Sequence, residues 1–158
     1  MTTIYDALKS DHEQHRDLLR KLDATQGDSA ERRKLWETFY YEVGAHAAAE
    51  ELTFYSKLIS KSEGQYEGRH SVAENKELED SILGLHEMDF SSPGWLARLK
   101  ILRARYEHHI DEEEDDIFPV AREVVGADED GTIGAEFAER KTEERKLVDE
   151  KAENAFED

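Results

Sequence analysis

The feature that most constrains this chain is an apolar stripe of helical spacing that recurs in three segments, interrupted each time at mid-length by metal-binding groups. The stripes are formed by Tyr5, Leu8, Leu19 and Leu22; by Trp36, Phe39, Val43, Phe54 and Leu58; and by Trp95, Leu99, Leu102, Tyr106, Ile117, Val120 and Val124. Their middle positions are, in chain order, His12 and His15, His46 and Glu50, and His109 and Glu113. A single histidine on such a face is usually a core residue. A carboxylate there is costly unless it is paired or binds a metal, so the repeated pattern favours a metal site.

Glycine, serine and proline divide the chain into segments whose lengths match antiparallel helices joined by short loops. The breaks fall at Gly27 to Ser29, Ser62 to Gly64, Ser91 to Gly94 and Gly126 to Gly134. Asp28 or Ser29 is predicted to cap the second helix, and Ser91 or Ser92 the fourth. At 158 residues the chain has the length of one domain. The sequence therefore predicts an all-α protein with a helical domain over 1–125 and a capping helix and charged tail over 126–158.

The second and fourth segments contain an internal repeat. His46 to Tyr55 and His109 to Phe118 both read H-x-x-x-E-E-x-x followed by two large apolar residues. Four-residue spacing places the imidazole and the first carboxylate on one helix face, one turn apart. A single copy would be read as a surface pair of little energetic value. Two copies centred on apolar stripes indicate metal ligands that converge on one ion or bridge two.

The third segment allows two interpretations. His70 and Glu74 repeat the four-residue spacing on a face continued by Leu78. Asn75 lies on an almost equally good stripe. His70 and Glu74 are therefore candidate ligands, and the ligation from this helix stays open.

Composition narrows the class of protein. The formal net charge of −18 disfavours nucleic acid and anionic membranes as partners. The absence of cysteine excludes disulfides, thiol catalysis and iron–sulfur ligation. The first residues form neither a basic leader nor an apolar segment, and no later run approaches membrane-spanning length. We expect a cytoplasmic protein, monomeric or weakly homo-oligomeric.

Together, Asp11-His12, the two H-x-x-x-E-E units, the closing Ile117-Phe118-Pro119 and a third-helix histidine resemble the hemerythrin-like proteins with the HHE cation-binding domain. The resemblance covers about residues 4 to 125. It implies an antiparallel up-down-up-down four-helix bundle, here with a C-terminal extra helix, and an oxygen-bridged site for two iron ions (Fe²⁺/Fe³⁺). Many relatives read Glu-His where this chain has Glu74-Asn75.

Carried over by position, the resemblance implies a ligand set in which Glu50 and Glu113 bridge the ions. The set is His12, His46, Glu50, His70, His109 and Glu113, with Glu74 as a possible replacement for the missing histidine. His15 is an alternative to His12, or a pocket group that donates protons. The predicted pocket is completed by Asn75, Phe39, Phe54, Tyr106 and Ile117.

Three functions agree with this site. The first is binding or sensing of dioxygen or a related small oxidant, the second is decomposition of peroxide by a di-iron enzyme, and the third is iron handling. Imidazole and carboxylate ligands also suit manganese and zinc. The resemblance, not the donor types, selects iron.

Overall fold

The computed structural model describes residues 2–157, and side chains over residues 2–154. Its α-helices are α1 (Ile4–Asp23), α2 (Ala30–Glu50), α3 (Ser56–Ile59), α4 (Gln65–His86), α5 (Trp95–Glu112), α6 (Phe118–Val124), α7 (Asp130–Arg145) and α8 (Val148–Glu157). Over these residues, none of the helices is long and apolar enough to cross a bilayer.

Two π-helical turns join shorter helices into longer rods. Glu51–Tyr55 connects α2 to α3, and Glu113–Ile117 connects α5 to α6, without a break in helical backbone. The rods α1, α2–α3, α4 and α5–α6 form an antiparallel up-down-up-down four-helix bundle. The helix α7 packs along α1 and α2 as the predicted extra helix. The predicted all-α bundle is confirmed, while the domain boundary at residue 125 stays a prediction.

The core consists of two apolar clusters. One is built around Trp36, Phe39 and Leu102, and the other around Tyr5 and Phe54. Along the rods α1, α2–α3 and α5–α6 the chain passes from one cluster to the other through buried histidines. In the last two rods a buried glutamate, Glu50 or Glu113, accompanies the histidine. The polar groups therefore form a layer at mid-height of the bundle, where the interrupted stripes predict it.

The π-helical turn after α5 shifts the buried face of α6. A continuous α-helix would place Val120 and Val124 of the third apolar stripe in the core, but both side chains are only partly buried. The buried positions are instead Phe118, Ala121 and Val125. A π-helical turn contains one residue more than an α-helical turn. Each core position after the turn is therefore occupied by the residue one later in the sequence.

We expect Ser29→Ala to lower the free energy of unfolding by about 1 kcal/mol. The side chain of Ser29 accepts a hydrogen bond from the backbone N–H of Arg32 at 3.0 Å and so caps α2.

The predicted serine cap on α5 is wrong: Gly94 is the N-cap residue and no side chain caps that end. Ser91→Ala is thus the matched control, with an expected change within about 0.5 kcal/mol in urea denaturation. Equal losses in both variants would contradict the assignment.

Candidate metal centre

Five of the predicted ligands from α1, α2 and α5–α6 converge in the polar layer. The Nε2 atom of His12 lies 3.5 Å from Oε1 of Glu113, and Nε2 of His46 lies 3.6 Å from Oε1 of Glu50. The Nε2 atom of His109 lies 4.0 Å from Oε2 of Glu113. All five side chains are buried. The group thus places three imidazoles around two carboxylates.

Each of these imidazoles is fixed from behind by a carboxylate that accepts a hydrogen bond from Nδ1. The pairs, at 2.8 to 3.0 Å, are Asp11 with His46, Glu114 with His12, and Glu74 with His109. Such a bond fixes the ring orientation and leaves Nε2 as the donor atom toward a metal, which is the usual arrangement around metal-binding histidines.

The buried atoms that face the centre of the layer lack hydrogen-bond partners. Among the described residues these atoms include Nε2 of His12 and His15, Oε2 of Glu50 and Oε1 of Glu113. Buried polar groups normally find partners, and orphaned ones are costly. Imidazole nitrogens and carboxylate oxygens at one place fit a transition metal, so the residues present suit the metal site that the sequence predicts.

The pKa values of the two glutamates are shifted in opposite directions. Burial and the neighbouring Glu113 raise the pKa of Glu50 well above its ordinary value. Burial acts in the same direction on Glu113, but hydrogen bonding and the nearby His12 lower its pKa. Without a metal the pair therefore favours sharing one proton, whereas a cation between the carboxylates would favour full ionisation.

Tyr55 is a neighbour of this pair that the sequence interpretation missed. Its hydroxyl donates a hydrogen bond to Oε2 of Glu113 at 2.5 Å, and its side chain is fully buried. Tyr55 follows Glu50 by five residues, and the π-helical turn Glu51–Tyr55 brings that spacing onto one face. The signal was present in the repeat, which ends each unit with two consecutive large apolar residues.

His15 also faces the layer, on the next turn of α1 after His12. Its ring packs edge-on against His46 at 4.9 Å, and its Nδ1 lies 2.7 Å from the hydroxyl of Tyr106. Burial and the neighbouring His46 lower the pKa of His15 well below its ordinary value. This position is compatible with both predicted roles of His15, as a metal ligand and as a pocket group.

The predicted ligands of the third helix form a second, partly buried group with Glu112 whose donor atoms are close enough to hold a metal ion. His70 is partly exposed, and its Nε2 lies 2.6 Å from Glu112 and 3.4 Å from Glu74. Glu74 lies behind His109 rather than beside Glu50 or Glu113. Asn75 shares a cavity with His46, Glu50 and His109, and its buried amide nitrogen has no partner among the described residues.

The predicted pocket residues are in the core around the layer. Phe39 packs against Tyr106 at 6.0 Å between ring centres, and Phe54 packs against Tyr55 at 5.8 Å. Ile117 is buried on the second π-helical turn. Aromatic and aliphatic walls of this kind limit access of bulk water and lower the local dielectric constant.

The carboxylates behind the rings belong to the motifs, but motif spacing assigns them no role. Asp11 precedes His12 and supports His46, and Glu114 is the second glutamate of its unit. Lys141 of α7 lies 3.0 Å from Asp11 and has no signal in the motifs. Burial by itself would raise the pKa of Asp11, but the hydrogen bond with His46 and the charge of Lys141 lower this pKa to about 2.

Comparison with known proteins agrees with this geometry. The sequence model of the hemerythrin HHE cation binding domain family matches residues 3–121 of this chain. The chain is similar to the crystal structure of a hemerythrin HHE cation binding domain-containing protein from Mycobacterium kansasii, with 27% identity and a TM-score of 0.82. That match covers 92% of this chain and 88% of the other. No curated protein matches the sequence significantly.

Proposed function

Since the chain belongs to the hemerythrin HHE cation binding domain family, we propose that it holds two iron ions in the polar layer and binds dioxygen or a related small oxidant there. Membership of this family implies metal binding, typically of iron. The observation that carries the proposal is the set of buried imidazole nitrogens and carboxylate oxygens that face one another without hydrogen-bond partners.

Imidazole Nε2 atoms and the two carboxylates of the buried layer would hold the ions. The proposed ligands are His12, His15, His46, His109, Glu50 and Glu113. His15 replaces the predicted His70 in this set because it is fully buried and its Nε2 has no partner. Glu74 is proposed to orient His109 rather than to bind metal.

The protein's contribution is to orient the ligands and exclude water. The carboxylates of Asp11, Glu114 and Glu74 fix three rings, and the apolar clusters close the layer from both ends. Iron, when bound, would exchange electrons with the oxidant. Tyr55 holds the Glu113 carboxylate in place through its hydroxyl.

Peroxide decomposition is a second candidate, favoured by the contact between Tyr106 and His15. The hydroxyl lies 2.7 Å from Nδ1 of a buried histidine, which is within the range for proton transfer between the two groups. Breaking the O–O bond of a peroxide needs protons, whereas simple binding of dioxygen can proceed without this pair. Peroxide consumption that falls in Tyr106→Phe with unchanged iron content would support the enzyme.

Metal analysis of the purified protein tests the proposal. We expect two iron ions per chain and an optical spectrum that changes reversibly between oxygen-free and aerated buffer. His109→Ala should lower the iron content, because it removes a proposed ligand. His108→Ala is the matched control, since the adjacent ring is mostly exposed and should leave the content unchanged. Iron-free protein, or equal iron in both variants, would contradict the proposal.

A further inference from the structure

A cavity of about 460 Å³ adjoins the polar layer on the side of α4. One end is lined by His46, Glu50, His109, Tyr106 and Asn75. The remainder is mostly apolar, with walls from α2, α4 and α8 that include Val43, Val72, Leu78, Ile82, Leu83 and Val148. Four proposed or supporting polar side chains of the layer and Asn75 thus line part of a mostly apolar space.

The cavity is larger than a diatomic oxidant requires. Its volume of about 460 Å³ falls in the range of about 300 to 1,000 Å³ that small organic ligands occupy. A molecule of the size of water takes only about 30 Å³. Part of the wall is formed by Val148 and Ala152, beyond the segment that the family model matches.

The charges in the wall select against an anion. Glu50, Glu79 and Glu144 line the cavity, and the whole chain has a formal charge of −18. Lys76 and Lys151 also line it, but the ammonium group of Lys76 lies 3.2 Å from the carboxylate of Asp80 and that of Lys151 lies 2.6 Å from the carboxylate of Glu144. A carboxylate or phosphate head group would be repelled here, whereas a neutral molecule would not.

The polar end offers one free donor and one free acceptor. The amide nitrogen of Asn75 and Oε2 of Glu50 are both buried and have no hydrogen-bond partner among the described residues. A hydroxyl or hydroperoxyl group can accept from an amide and donate to a carboxylate. In the metal-free protein a neutral head of this kind complements both atoms. With iron held by Glu50 as proposed, the amide of Asn75 is the group that holds the head.

We propose that this cavity binds a neutral, apolar organic molecule with a single hydroxyl or hydroperoxyl head, which lies at the Asn75 end. The inference deepens the proposed function, on which it rests for the chemistry beside the head group. Binding itself depends only on the cavity. The two can therefore fail separately.

Titration calorimetry with straight-chain alcohols from ethanol to decanol tests the proposal on the full-length protein, as purified and after metal removal. We expect the affinity to rise with chain length, by up to about fourfold per methylene, until the cavity is full. Octanoate should bind at least about tenfold more weakly than octanol because of its charge. A protein that contains no iron as purified but binds octanol would leave this inference standing and overturn only the proposed metal function.

Two variants fill the cavity from different walls. Ala48→Phe on α2 and Ala152→Phe on α8 should each weaken octanol binding by at least about tenfold, with folding checked by circular dichroism. Ala104→Phe adds the same ring at an exposed position outside the cavity and should bind octanol as the wild type does. Absence of octanol binding to the wild type, or equal binding by all three variants, would overturn the proposal.

Discussion

Replacing Glu50 with glutamine will stabilise the metal-free protein while it weakens iron binding. In the metal-free fold Glu50 is buried beside Glu113, and burial with this neighbour raises its pKa. A neutral amide removes the cost of a buried second carboxylate, so we expect a gain of about 1 to 4 kcal/mol in the free energy of unfolding. The same change removes a proposed iron ligand and should raise the iron dissociation constant by more than about 100-fold.

The gain in stability should depend on pH. In the unfolded chain Glu50 ionises near 4.5, whereas in the fold it keeps its proton to higher pH. Between these two pKa values the unfolded state binds fewer protons, so this group's contribution to stability falls as the pH rises. The advantage of Glu50→Gln should thus be small at about pH 4.5 and larger at about pH 7.5 in urea denaturation of metal-free protein.

The neighbouring glutamate provides a matched control. Glu51 is exposed on the π-helical turn, and Glu51→Gln should leave both iron content and the pH dependence of stability unchanged. A Glu50→Gln protein that keeps its iron, or that is less stable than the wild type without metal, would contradict the role proposed for Glu50.

Glu74→Ala should weaken iron binding by about 10- to 100-fold, while His70→Ala should have little effect. Glu74 accepts the Nδ1–H of His109 at 3.0 Å, so its loss frees that ring to rotate. His70 instead pairs with Glu112 at the surface. If both residues were direct ligands, as their spacing suggests, the two losses would be similar and large.

Competition of the protein with an iron chelator would measure these affinities. Glu77→Ala, at an exposed position of the same helix, controls for the loss of a surface carboxylate. A His70→Ala protein with an affinity as low as that of Glu74→Ala would restore the assignment made from the four-residue spacing.

The helices and the position of the polar layer follow from the amino-acid sequence alone. The apolar stripes have a helical period, and a period is a local property that any window of the chain displays. The interruptions of three stripes lie at mid-length, so an antiparallel bundle must bring them to the same depth. Spacing and periodicity are therefore sufficient to group His46, Glu50, His109 and Glu113 with the pair His12 and His15, but not to choose between those two histidines.

Which groups of α4 reach that layer depends on tertiary packing. His70, Glu74 and Asn75 fall on neighbouring stripes of one helix, and the rotation of that helix is fixed by packing against α3 and α5 rather than by its own sequence. The hydrogen bonds of Asp11 and Glu114 to rings on other helices are likewise long-range contacts, which motif spacing cannot show.

The π-helical turns could not be predicted from the sequence for the same reason. The first begins directly after the buried Glu50 and the second at the buried Glu113, and each rotates the chain that follows. Tyr55 thus reaches Glu113, and Ala121 replaces Val120 in the core. A stripe predicted for an α-helix assumes the same rotation about the helix axis for every residue. The fold departs from that angle where packing around the two carboxylates favours a wider turn.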